Sequence, residues 1–370
     1  MKVQERRITT PPLRVSTFFA ALPCVALLVL IGCGGGGQDS AQGEREEAST
    51  TESTVVESTG GGAETTAETT GGTKTVSEAT EPAKPYTEIV VSGAQPQSTP
   101  TQKVLVDGAE DTSDGLLKEN RLVTYYGNPR SAAMGVLGEF AGPEAMMERL
   151  IQQTAAYSAA DPERPAVPTI ELIASTAQRE PGPEGEYLGR LSAEEIEQYA
   201  QLAEENGALL LLDVQLGRST LATEIETLRP FLKRPYVHLA IDTEYYVAEG
   251  QVPGVDLGGV EGTEIQQAVE TLTQLVEEEG IPDKVVVVHQ FESGIVTRKE
   301  LVQPTSNVEV VLNADGFGAP ENKISKYDIL VSGEPIQYGG FKLFYTQDIG
   351  VLSPEQVLQL DPAPVVVNYQ

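Results

Sequence analysis

Eight short apolar runs recur through the last 250 or so residues, separated by turn signals and amphipathic stretches. They are Arg121–Asn128, Thr169–Thr176, Ala208–Gln215, Tyr236–Tyr245, Lys284–Phe291, Val308–Asp315, Phe341–Gln347 and Pro364–Tyr369. Runs this apolar read as strands buried on both faces, the pattern of a parallel sheet. Helical spacing fills most of the gaps: Gly142–Tyr157, Ser192–Asn206, Leu221–Lys233, Thr263–Gly280 and Ser353–Leu360. Ser192-Ala-Glu-Glu is a capping-box start, and Asn206-Gly207 and Gly280 are stop signals. The connections 297–306 and 319–340 carry at most short helices. Strands alternating with helices in this number fit a (β/α)8 TIM barrel better than an open sheet. A doubly wound sheet would call for a Gly-rich phosphate turn after the first strand, where the sequence reads Tyr126-Gly127-Asn128-Pro129. The sequence stops at the eighth strand, so the expected barrel lacks the last helix, and the segment 114–120 is expected to cover the gap or the barrel bottom.

The N-terminal third has a different texture. Lys2, Arg6, Arg7 and Arg14 precede the apolar run Phe18–Ile31, a secretion-signal pattern too short for a typical membrane span of about 20 residues. Residues 34–100 are Ser/Thr/Glu/Gly-rich with a net charge of −8, a composition that builds no core and is expected to be a disordered tether. The expected division is therefore a signal peptide at 1–32, a tether at 33–100 and a barrel at 101–370. The net charge of −30 repels phosphate backbones, so nucleic acid is not an expected partner. The two cysteines, Cys24 and Cys33, both precede the barrel, which leaves it without a disulfide, thiol nucleophile or thiolate metal site.

Polar residues collect at the C-terminal ends of the strands, where barrel enzymes hold their chemistry. They are Tyr126 and Asn128; Ser175; Asp213 and Gln215; Asp242 and Glu244; His289; Asn313 and Asp315; Tyr345 and Gln347; Asn368. Spacing of i, i+2 puts such pairs on one strand face. Carboxylates, amides and tyrosines with few cations suit sugar hydroxyls and suit phosphate poorly. Glycoside hydrolysis uses two carboxyl groups flanking the bond, and Asp242 and Glu244 stand about 6.6 Å apart along a strand. Glu244, furthest toward the mouth, is expected as general acid. Asp242 or Asp213 is expected as base, nucleophile or charge stabiliser. Tyr126, Asn128, Gln215, His289, Asn313, Asp315, Tyr345 and Gln347 are the expected substrate-binding set. Mutual repulsion among these acids would keep one protonated. His238 reads as a neutral core histidine. A metal site from His238, Asp242 and His289 lacks paired histidines, so neither metal nor cofactor is expected.

Three resemblances follow from these residues. Leu30-Ile31-Gly32-Cys33 resembles a bacterial lipobox, which implies diacylation of the Cys33 thiol and a membrane-anchored, extracytoplasmic lipoprotein. With its Ser/Thr/Glu-rich tether, the chain resembles actinobacterial-type surface lipoproteins with a hydrolase-like barrel. Asp242-Thr-Glu244, ending the fourth strand, resembles the fourth-strand acids of glycoside-hydrolase TIM barrels. In chitinase-like barrels the pattern is longer, and His238 and Ala240 stand here where that pattern has acids. The seventh strand has no glutamate corresponding to the second acid of the other large barrel clan. The resemblance implies a hydrolase acting on cell-wall or environmental glycans, and a monomer is expected. The alternative is a barrel that binds carbohydrate or cell wall without turnover.

Overall fold

The computed structural model describes residue 113, residues 115–334 and residues 337–370. The signal, the lipobox with Cys33 and the tether lie outside these residues. Within them, eight parallel strands close into a barrel. They are β1 (Arg121–Gly127), β2 (Ala166–Ala177), β3 (Leu209–Gln215), β4 (Val237–Asp242), β5 (Lys284–Gln290), β6 (Val308–Ala314), β7 (Tyr338–Leu343) and β8 (Val366–Tyr369). Each strand pairs with the next, and β1 pairs with both β2 and β8. The expected (β/α)8 architecture is thus present.

The connections carry α1 (Pro143–Ala160), α2 (Ala193–Glu205), α3 (Leu221–Leu232), α4 (Gly262–Glu279), α5 (Pro320–Tyr327) and α6 (Pro354–Val357). No helix among the described residues is long and apolar enough to cross a membrane. Local sequence sets their ends. Ser192 and Glu195 form a reciprocal capping box at the start of α2. Gly280 ends α4 at φ +61°, a left-handed conformation that favours glycine. Alternate strand residues point outward, and most of them join one continuous apolar layer against the helices, including Val123, Ile170, Leu212, Ile241, Val288 and Leu343.

The inward residues divide by height. Near the strand starts, Leu122, Leu211, Ala240, Val285, Val287 and Val311 make a second apolar cluster. Leu117, on a 3-10 turn at Leu116–Lys118, is fully buried in that cluster, so the segment before β1 closes the barrel bottom. Its amide donates to Glu309 Oε2 at 3.0 Å. Above this plug the lumen is polar.

Two strand ends depart from the sequence expectation. β7 begins at Tyr338 rather than Phe341 and stops at Leu343. Gly339-Gly340 resembles a breaker in sequence, yet Gly340 is a lumen position where a Cβ would lie 2.2 Å from Asn313 Oδ1. β4 stops at Asp242, and Thr243–Tyr245 forms a 3-10 turn, so Glu244 does not continue the strand alternation.

Candidate functional site

All eight strands send polar or charged side chains into the upper lumen. β1 contributes Thr124 and Tyr126, β2 Glu171, and β3 Asp213 and Gln215. β4 adds Asp242 and β5 His289. β6 supplies Asn313, with Asp315 just beyond its end, β7 Lys342 and β8 Asn368, which brings the eighth strand into the same network. All are buried except Asp315, whose side chain is 11% exposed.

His289 is the hub. Its Nε2 lies 2.7 Å from Glu171 Oε1, and its Nδ1 lies 2.9 Å from Asp315 Oδ1. Asp315 also accepts from Lys342 Nζ at 2.8 Å and from Asn313 Nδ2 at 2.7 Å. Glu171 Oε2 accepts from Thr124 Oγ1 at 2.9 Å and from Asn368 Nδ2. On the other side, Tyr126 sends its hydroxyl between Asp213 Oδ2 (3.4 Å) and Asp242 Oδ2 (3.3 Å). Gln215 Nε2 donates to Asp242 at 3.1 Å, and its Oε1 accepts from Ala177 N at 2.9 Å. Lys342 Nζ stands 3.7 Å from the centre of the Tyr126 ring, a cation–π contact that joins the two halves.

These surroundings push equivalent groups in opposite directions. Burial, then the charge of Asp242, holds the Asp213 carboxyl well above its usual range. Burial likewise raises Asp242, against the pull of Lys342 and His289. For Asp315, burial is outweighed by the charges of His289 and Lys342, which hold it ionised well below the usual range. Burial opposes protonation of His289, but Asp315 and Glu171 outweigh it and keep the imidazolium. Glu244 sits partly exposed on the rim, hydrogen-bonded to Tyr245. Its carboxyl is pushed up to about 7, first by burial and then by the charges of Asp242 and Asp315. The turn carrying it is pinned from behind by Gly258 N, which donates to Glu244 O at 2.7 Å. A Cβ on Gly258 would lie 2.3 Å from Tyr246 O, so this close approach requires glycine. Next to the turn opens a cleft of about 540 Å3, lined by Arg218, Tyr246, Val247, Gln251, Leu257 and Gly258 among others.

The expected site residues therefore separate into two groups. Tyr126, Asp213, Gln215, Asp242, His289, Asn313 and Asp315 meet in the lumen, with Glu244 above them. Asn128, Tyr345 and Gln347 do not. Asn128 follows β1 and ties down its own loop, donating to Thr176 Oγ1 at 2.9 Å and accepting from Arg130 N at 2.9 Å. Tyr345 lies past the end of β7 in the outer aromatic layer, stacked on Tyr369 with ring centres 5.1 Å apart. Gln347 is exposed on a turn. Ser175 is also turned out of the lumen, because the register of β2 shifts between Ile173 and Ser175. Its hydroxyl bonds Glu224 on α3 at 2.6 Å. His238 is buried below the network, where its Nδ1 accepts from Val285 N at 3.1 Å and burial keeps the ring neutral.

Sequence reasoning missed Glu171, Thr124 and Lys342. Two of them carried a signal: a charged residue inside an otherwise apolar strand run, Glu171 in TIELIAS and Lys342 in FKLF. The expectation of a lumen nearly free of cations is corrected by Lys342.

No protein-family profile matches this chain, and no curated protein matches it. Among solved structures, a ruminal GH26 endo-beta-1,4-mannanase is similar at a TM-score of 0.34 and 9% identity over 74% of this chain. The chain spans 64% of that mannanase's length. A likeness of this size bears on no residue of the site.

Proposed function

We propose that the chain is a glycoside-hydrolase-like barrel acting on hydroxyl-rich substrates, with Glu244 as general acid. One observation carries the reading: two carboxyl groups at one mouth have their proton affinities driven apart. Glu244 holds its proton to about pH 7, and Asp315 is ionised. Environments that split a carboxyl pair in this way assign one as acid and the other as base or charge stabiliser. In this reading Glu244 gives its proton to the glycosidic oxygen. Asp315, fixed by His289 and Lys342, faces the positive charge that develops on the sugar. Asp242, the next carboxyl inward, is second choice for that role. Asp213 is fully buried, and burial beside Asp242 raises its proton affinity, which suits a supporting role better than attack. The cleft beside Tyr246 gives a chain of sugars a place to lie.

A second reading, glycan binding without turnover, is favoured by the closure of the floor. Asp213 and Asp242 are 0% and 5% exposed, and Tyr126 and Gln215 bridge them. Glu244→Gln, assayed on a panel of neutral polysaccharides, separates the two. Loss of hydrolysis by about 100-fold or more with binding retained supports the acid. Binding with no turnover by the unmutated protein supports the second reading.

We further propose that the protein works outside the membrane on a lipid attached to Cys33. The support is the Leu30–Cys33 motif and the polar run that follows it. Labelled palmitate is expected in the protein and absent from Cys33→Ser. Labelling that survives this substitution removes the proposal.

A further inference from the structure

We propose that Glu171, Asp213 and His289 form a binding site for one divalent transition-metal ion, Mn2+ or Zn2+, inside the barrel. A ligand atom from each lies within 4.8 Å of the other two. They come from β2, β3 and β5, so the barrel itself fixes their spacing.

Each ligand is also held from behind by a partner that leaves one atom for the common point. His289 Nδ1 is engaged by Asp315, which fixes the ring and presents Nε2 inward. Glu171 Oε2 is taken by Thr124 and Asn368, which leaves Oε1 turned to His289 Nε2. Asp213 Oδ2 accepts from Tyr126, while Asp213 Oδ1 is fully buried with no hydrogen-bond partner. A buried orphan oxygen has given up its hydrogen bonds to water without replacement. Asn313 Oδ1 and Asn368 Oδ1 are orphaned in the same lumen. The upper lumen thus offers more acceptors than donors.

Charge points the same way. Glu171, Asp213, Asp242 and Asp315 face inward against two cations among the described residues, His289 and Lys342. Lys342 is spent on Asp315 at 2.8 Å and stacks on Tyr126. One imidazole and two carboxylates form a donor set suited to Mn2+ or Zn2+. Without metal, the 2.7 Å contact between His289 and Glu171 is bridged by a proton, and the ion would take that proton's place. Occupancy of this site by metal is independent of whether the barrel hydrolyses glycans.

The full chain, stripped with EDTA, is titrated with MnCl2 or ZnCl2 either folded or during refolding from urea. Bound metal is counted by elemental analysis. One ion per chain is expected, with the melting temperature raised by on the order of 10 °C at thousandfold excess over Kd. Asp213→Asn and Glu171→Gln, near-isosteric changes, are expected to lose both effects. Glu249→Gln, on the exposed cleft rim, keeps them. Should a lumen variant not fold, X-ray absorption on the zinc-loaded unmutated protein decides, with one imidazole nitrogen at about 2.0–2.1 Å expected. No stoichiometric binding, equal binding by both variants, or a bound ion without imidazole overturns the proposal.

Discussion

Lys342 shows how much one residue sets in this lumen. Its charge is a leading cause of the ionisation of Asp315, and it also opposes the upward shift of Glu244. Lys342→Met therefore moves Glu244 further up from about 7, in the direction of burial and its acidic neighbours. The expected result is a carboxyl titration, followed by NMR, displaced to higher pH, and an alkaline limb of any activity profile displaced with it. An unmoved titration would separate Lys342 from the rim. The variant also strands Asp315 with one cation, so a stability loss of about 3–5 kcal/mol is expected in urea. Tyr126, Asp242, His289, Asn313 and Asp315 were legible because strand alternation is exact near the end of a well-bounded strand. Lys342 was not, because a strand start misplaced by Gly339-Gly340 removes the frame in which it points inward. Glu244 was legible in position only. Its proton affinity comes from groups on β4 and beyond β6 that no local spacing connects.

At the scale of elements, strand and helix order followed from apolar runs and caps, whereas the strand ends followed from contacts between elements. The register shift in β2 shows this. Ser175 fits the lumen pattern in sequence, but Glu224 on α3 recruits it together with Ser219 and Arg190. That buried carboxylate staples α3 to β2, and its partners hold it below its usual range in spite of burial. Ser192→Ala removes the reciprocal cap of α2 and is expected to cost about 1 kcal/mol. The turn under the barrel bears more. Leu117 is fully buried among six or more lumen side chains, and Leu117→Ala leaves a void under the polar layer. A loss of about 2–5 kcal/mol is expected from urea unfolding. A loss under 1 kcal/mol would mean the bottom does not depend on that plug.

Across the whole molecule, two displaced groups, one on the rim and one buried, impose opposite pH dependences. Glu244 binds its proton more tightly folded than unfolded, about 7 against 4.5, so its contribution to stability is lost as pH rises through that window. Lys284 is displaced the other way, to about 7 from 10.5 by burial, with its ammonium on the carbonyls of Arg234 and Val237. The unfolded chain then binds the extra proton between pH 7 and 10.5, so stability rises with pH there. Lys284→Met is expected to flatten that rise in denaturation curves from pH 7 to 10, and an unchanged slope would count against it. A last consequence lies in the run of contacts from Asn368 through Glu171, His289 and Asp315 to Lys342. It ties β8, β2, β5, β6 and β7 across the barrel axis like the spokes of a wheel. None of these five strands can peel away without severing a spoke, so their partial opening is suppressed in favour of opening together. Amides on these five strands are expected to exchange with deuterium at one common, slow rate, whereas a barrel held only by its rim would release them one after another.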